Sequence, residues 1–224
     1  MALLVKICGL STRETLDAAI EAGADMVGFV FFEPSPRHVD LAKAAELARI
    51  ARGRVQSVVL TVDADPATIG AIAETVKPDW LQLHGVETPE AIAAMKREHG
   101  LPVMKALPVS TRADLAAVSA YEGIADRILF DARAPKDATR PGGLGVPFDW
   151  HLLEGLTTSL PLMLSGGLDA NNVAEALRVT RLGGVDTSSG VERSPGLKDI
   201  DKIFAFVRAA RAAETPTLKL ASGQ

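Results

Sequence analysis

A run of three to six mostly apolar residues followed by a longer stretch with helical periodicity recurs eight times along the chain, and this repetition restricts the fold more than any single motif. The runs are residues 3–7, 26–31, 57–62, 80–83, 102–107, 128–130, 162–164 and 184–187. They lack the strict in-out alternation of a half-exposed strand, which suits parallel strands buried on both faces. Between them the apolar residues fall three and four apart. Leu16, Ala19 and Ile20 form one such stripe, Leu41, Ala44, Ala45 and Ala48 a second, and Ile69, Ile72, Ala73 and Val76 a third. Ile92 with Met95, Leu115 with Val118, Leu152 with Leu153 and Leu156, and Val173 with Ala176 and Leu177 continue the series, which Ile200, Ile203, Phe204 and Val207 close.

Helix start signals sit where this alternation needs them. Ser11-Thr12-Arg13-Glu14 has the form of a capping box, Asp40 and Asp169 are placed as N-terminal caps, and Asp65-Pro66 and Thr88-Pro89 each join a capping side chain to a proline that needs no amide partner. Gly23 is placed to stop the first helix. Eight strand-helix units are the number that closes on itself and leaves no sheet edge, so the expected architecture is α/β, a (β/α)8 TIM barrel. A doubly wound open sheet is the alternative, but no Gly-x-Gly-x-x-Gly follows the first run. A single domain is expected over residues 1–212, with 213–224 as a frayed tail.

Composition excludes several classes. At 224 residues and 47% apolar content the chain is long enough for one large core, and its formal charge of −4, with no basic tract, offers no footprint for nucleic acid. No apolar run approaches the ~18 residues of a membrane span, and the N-terminus lacks the pattern of a cleaved leader, so a cytoplasmic protein that does not engage membrane is expected. A single cysteine permits no internal disulfide. The histidines at 38, 84, 99 and 151 show no zinc-ligand spacing, and no metal site is expected. Sequence leaves the choice between monomer and homodimer open.

In a barrel, the polar groups at the C-terminal strand ends converge on one mouth. Here they are Cys8, Arg37, His84, Asp131, the turn Ser165-Gly166-Gly167 and the turn Asp186-Thr187-Ser188-Ser189-Gly190. Each has a plain reading alone: a free cysteine is usually a small buried apolar group, Arg37 lies in a proline-rich loop, and strand-end histidines are often structural. The two small-residue turns after the seventh and eighth runs are less ordinary, because in barrels those loops commonly hold a phosphate on backbone amides. A phosphorylated ligand is therefore expected.

Seven segments then resemble one family, in order and at strand ends: Lys6-Ile7-Cys8-Gly9; Gly28-Phe29-Val30-Phe31 with Ser35-Pro36-Arg37; Gln82-Leu83-His84-Gly85; Phe130-Asp131-Ala132; Phe148-Asp149-Trp150; Leu164-Ser165-Gly166-Gly167-Leu168; and Gly184-Val185-Asp186 with Ser188-Ser189-Gly190-Val191-Glu192 and Ser194-Pro195-Gly196. The chain resembles phosphoribosylanthranilate isomerases over nearly its whole length. That resemblance implies a tryptophan-biosynthesis enzyme needing no cofactor, which catalyses the Amadori rearrangement of N-(5-phosphoribosyl)anthranilate to 1-(2-carboxyphenylamino)-1-deoxyribulose 5-phosphate.

By the same resemblance Asp131 is the general acid and Cys8 the general base. Arg37 would bind the anthranilate carboxylate, His84 and Asp186 would contact substrate, and Gly166, Gly167, Ser188, Ser189 and Gly190 would hold the phosphate. Such roles require an acid pKa raised from ~3.9 and a thiol pKa lowered from ~8.5. Roles for Lys6 and Gln82 stay open. The chain departs from the family pattern at His38, Leu144, Val146 and Thr187, and the glycine-rich loop at 132–148 is expected to serve as a lid rather than in catalysis. Two rivals remain: another phosphosugar isomerase, which would be expected to use two carboxylates, and a silent barrel that binds a phosphorylated metabolite.

Overall fold

The computed structural model describes residues 2–134, 142, 145 and 147–214. Within them eight parallel strands close in sequential order into a barrel. The strands are β1 Leu4–Cys8, β2 Met26–Phe31, β3 Gln56–Thr61, β4 Trp80–Leu83, β5 Val103–Val109, β6 Arg127–Ala132, β7 Leu162–Leu164 and β8 Gly184–Thr187. β8 pairs back onto β1 through Leu4↔Gly184 to Ile7↔Thr187, which closes the ring. The eight parallel strands form a ring rather than an open sheet, so the doubly wound alternative falls.

The outer faces of the strands pack on α1 Arg13–Glu21, α2 Leu41–Ala51, α3 Pro66–Thr75, α4 Pro89–His99, α5 Val173–Thr180 and α6 Ile200–Ala212. Val27, Phe29, Val59, Leu81, Ile128 and Phe130 meet Leu16, Leu47, Ile69, Ile92, Ile203 and Phe206 in one continuous core. Each such side chain contributes about 1.5–3 kcal/mol by leaving water. Inside the ring, Met26, Val58, Met104, Leu129 and Met163 fill the lower part of the barrel, and the polar groups are carried at the upper strand ends. No helix among the described residues is long and apolar enough to cross a membrane.

Several local expectations shift. The box at Ser11 to Glu14 does not form; Thr12 is the cap, its Oγ1 accepting from the Thr15 amide at 3.2 Å. Asp169 does not cap α5, which starts after Asn172; its Oδ1 accepts from the Asn171 and Asn172 amides and shapes the turn before the helix. Asp40, Asp65 and Thr88 cap as expected. The stretches bearing Leu115 and Leu152 are 3-10 segments, Arg112–Tyr121 and Trp150–Leu153. Leu115 and Val118 explain the first, since a spacing of three lines up on a three-residue turn. On α6 the buried face is Ile203, Phe206, Val207 and Ala210, one step round from the predicted stripe, which leaves Phe204 exposed. Much of the loop expected at 132–148, and the tail from 215, lie outside the described residues.

Candidate active site

Strand register explains why distant residues meet. Cys8 ends β1, Asp131 is the penultimate residue of β6, His84 follows β4, and Asp186 lies in β8, so each projects at the same end of the ring. They line one cavity with about 640 Å³ of free space, together with Arg37 from the loop after β2. Gly166, Gly167, Ser188 and Ser189 line it too, opposite a wall of Val30, Phe32, Leu60 and Val62. Nine of the ten residues singled out from the sequence thus converge. Gly190 does not: it packs behind the turn against the Leu168 carbonyl and is absent from the lining.

Asp131 is 4% exposed. Its Oδ1 accepts from the Ala132 amide at 3.0 Å, and its Oδ2 lies 3.1 Å from His84 Nε2. His84 Nδ1 in turn lies 3.3 Å from the Gln82 amide nitrogen. The Gln82–His84–Asp131 chain is a polar network in which the donor at each nitrogen sets the next, so it fixes the carboxyl in one orientation. His84 is therefore an orienting partner of Asp131 as well as a lining group.

Cys8 is buried beside Lys6. Burial pushes the thiol pKa up, and the Lys6 ammonium opposes this without cancelling it. The thiol lowered below its usual value, as anticipated, is thus not what the folded chain presents: desolvation of a strand-end sulfur, with the Asp186 charge adding to it, outweighs the Lys6 and Lys198 cations. Lys6, left open by the sequence, is fully buried with Nζ 2.8 Å from Asp186 Oδ1. Burial works against its charge, but Asp186 and Cys8 together raise its pKa. Ser165 Oγ donates to Asp186 Oδ2 at 3.0 Å, so both oxygens of Asp186 are engaged.

Arg37 is not a surface loop charge. Its Nε donates to Glu192 Oε1 at 2.7 Å and its Nη2 to Glu192 Oε2 at 2.8 Å, a bidentate pair with both side chains 4% exposed. Two short strands outside the barrel, β9 Glu192–Ser194 and β10 Leu197–Lys198, carry that carboxylate. Sequence reasoning assigned no role to Glu192 or Lys198. A carboxylate 155 positions from Arg37 gives no local signal, although it stood inside a quoted segment.

Gly166 and Gly167 both adopt left-handed backbone, φ +83° and +68°, which turns the chain sharply after β7 where a side chain would be strained. After β8 the backbone makes a short 3-10 turn, Ser189–Val191, with Thr187 Oγ1 donating to the Leu168 carbonyl at 2.6 Å to tie the two turns together. The mouth therefore has two unlike sides, a small-residue face at β7 and β8 and an apolar face with an arginine at β2 and β3.

Comparison with known proteins agrees with this geometry. Residues 5–209 match the family model described as N-(5'phosphoribosyl)anthranilate (PRA) isomerase. The N-(5'-phosphoribosyl)anthranilate isomerase of Rhodopseudomonas palustris is 67% identical over 214 residues, covering 96% of this chain and 98% of that protein. The crystal structure of phosphoribosyl anthranilate isomerase from Thermotoga maritima superposes with a TM-score of 0.85 at 36% identity, covering 94% of this chain and 99% of that one. A phosphoribosyl anthranilate isomerase solved with reduced 1-(o-carboxyphenylamino)-1-deoxyribulose 5-phosphate superposes with a TM-score of 0.80 at 33% identity, covering the same shares. A closed eightfold barrel, an acid and a thiol at its mouth, and a match along almost the full length place this chain in the N-(5'-phosphoribosyl)anthranilate isomerase family.

Proposed function

We propose that the chain isomerises N-(5-phosphoribosyl)anthranilate to 1-(2-carboxyphenylamino)-1-deoxyribulose 5-phosphate in tryptophan biosynthesis, with Asp131 as general acid and Cys8 as general base. The observation that carries these roles is the presence of an oriented carboxyl and a thiol in one cavity, on strands three apart around the barrel. The two-sided mouth matches a ligand with a phosphate at one end and an aromatic carboxylate at the other. In this reading the phosphate lies against the turns at Gly166, Gly167, Ser188 and Ser189. The aromatic ring lies along Val30, Phe32, Leu60 and Val62, with its carboxylate toward Arg37. Asp186, backed by Lys6, faces the sugar hydroxyls.

The chemistry balances on two groups. Asp131 gives its proton to the ring oxygen as the C1–O bond breaks, and the nitrogen lone pair forms the C1–N double bond of an iminium. The Cys8 thiolate takes the proton from C2; that electron pair forms C1=C2, and the C=N pair returns to nitrogen, giving an enolamine. Ketone formation then adds a proton at C1 and removes one from the 2-hydroxyl, so the proton gained by Cys8 and the one lost by Asp131 are both restored. Lys6 is the built-in counter-charge for the thiolate, and the iminium adds a second positive charge once the ring opens. No step calls for a cofactor. We take residues 1–212 as one catalytic domain, acting as monomer or homodimer in the cytoplasm.

The deciding experiment is turnover of N-(5-phosphoribosyl)anthranilate, generated in situ and followed by loss of its fluorescence. Cys8→Ala and Asp131→Asn are each expected to keep the fold and to lose about 100-fold or more in turnover, the usual cost of removing a positioned acid or base. Near-normal turnover in either variant removes that residue from its role.

A further inference from the structure

Behind the mouth lies a cluster of three buried charges. Glu192 Oε1 accepts from both Arg37 Nε at 2.7 Å and Lys198 Nζ at 2.8 Å, and the Lys198 side chain is fully buried. Lys198 Nζ also donates to the Ser188 carbonyl at 2.8 Å and lies 3.1 Å from Ser188 Oγ. One carboxylate is thus shared by two cations, of which one reaches the Arg37 loop and the other the turn after β8. The two cations share that carboxylate in a dry setting, where the geometry of each contact matters more than it would in water.

The β9–β10 hairpin is fitted to this task. Gly196 at its turn has φ +83°, and a Cβ there would meet the Pro36 carbonyl oxygen at 2.3 Å, so only glycine lets the hairpin close on the Arg37 loop. The Gly196 amide also donates to Glu192 Oε2 at 3.2 Å. The Glu192 carboxylate therefore has a fixed angle, set by backbone on one side and by Lys198 on the other.

We propose that Glu192 and Lys198 are positioning residues: Glu192 aims the Arg37 guanidinium at the ligand carboxylate, and Lys198 ties that aim to Ser188, so that the two ends of the substrate are recognised as a unit. This rests on the reading of Arg37 given above. The pair acts through Arg37 and Ser188 rather than by touching reacting atoms. A rigidly held arginine binds a carboxylate without the entropy cost of ordering a long side chain at each encounter.

The test compares two substrates, N-(5-phosphoribosyl)anthranilate and its decarboxy analogue made in situ from aniline and ribose 5-phosphate, in the wild type and in Glu192→Gln, Arg37→Ala and the double variant. A wild-type preference for the carboxylated substrate tests the role of Arg37 itself; without it, that reading falls. Given that preference, Glu192→Gln is expected to raise KM for the carboxylated substrate about tenfold, to change its kcat far less, and to leave kcat/KM for the aniline analogue within about threefold. Glu192→Gln should add nothing further in the Arg37→Ala background. Equal losses on both substrates, or additive losses in the double variant, would overturn the proposal in favour of a general structural role, and an unchanged preference would overturn it outright. Should Glu192→Gln fold poorly, Glu192→Asp, which keeps the charge but draws the carboxylate back by one methylene, is expected to show the same selective rise in KM.

Discussion

Gly28 stands directly opposite Cys8 in the β1–β2 ladder, and a Cβ added to it would lie 2.7 Å from the Cys8 sulfur and 3.2 Å from its Cα. The thiol therefore occupies space that any other residue at position 28 would claim. Because the sulfur is wedged there, its direction into the cavity depends on a missing methyl group on the neighbouring strand.

Gly28→Ala should accordingly act on catalysis more than its size suggests. Overpacking of this kind costs about 1–3 kcal/mol, which in a domain of this length lowers Tm by roughly 3–10 °C. A displaced base can also cost up to about 100-fold in rate. Calorimetry and turnover measured on the same variant check both parts. A normally stable Gly28→Ala protein with full kcat would show that the sulfur moves aside without consequence.

Lys6→Met removes the ammonium that pairs with Asp186 and leaves a buried carboxylate without that counter-charge. Breaking such a pair costs about 3–5 kcal/mol. Pairing it with Asp186→Asn should recover much of that stability, since the double variant buries no uncompensated charge. Activity should not return with stability, because Lys6 also supplies the positive charge beside Cys8. Thermal melts and turnover separate the two effects; recovered activity in the double variant would argue against a role for Lys6 at the thiol.

Burial raises the Cys8 pKa above its usual value, so the free enzyme holds only a small thiolate fraction at neutrality. Below the pKa that fraction rises about tenfold per pH unit, so the rate at which iodoacetamide alkylates Cys8 should climb with that slope between about pH 6.5 and 8 and show no plateau there. An alkylation rate that levels off within that range would show that the thiol is not held above its usual pKa.

Lys198 faces Glu192, Arg37, Cys8 and Ser188. Burial lowers its pKa to about 8 despite the pull of Glu192, with the Arg37 charge adding to the effect. As pH rises through that value Lys198 loses its proton, and the cluster loses one of its two cations. The preference for the carboxylated substrate over its aniline analogue should then fall several-fold between pH 7 and 9. Taking the ratio cancels the titration of Cys8, which both substrates share. In Lys198→Met the ratio should be low and independent of pH over this range. A constant wild-type ratio would show that the Lys198 charge has no part in carboxylate recognition.

What the sequence determined by itself was whatever can be encoded within a few neighbouring residues. Eight apolar runs separated by amphipathic stripes specify eight strands covered by helices, because periodicity decides which face of each element leaves water. The position of Cys8, His84, Asp131 and Asp186 at strand ends follows from that same local pattern, so their meeting at one mouth was legible once the ring was assumed to close. The resemblance supplied their chemical roles. The tertiary structure alone decided what these groups feel. Lys6 meets Asp186 across 180 positions and Arg37 meets Glu192 across 155, and neither pairing leaves a trace in spacing or composition. The raised Cys8 pKa, the shared Glu192 carboxylate and the wedge of Gly28 against the sulfur likewise arise from close approach in a dry interior, where Coulomb forces and steric contact act through space and take no account of the distance along the chain.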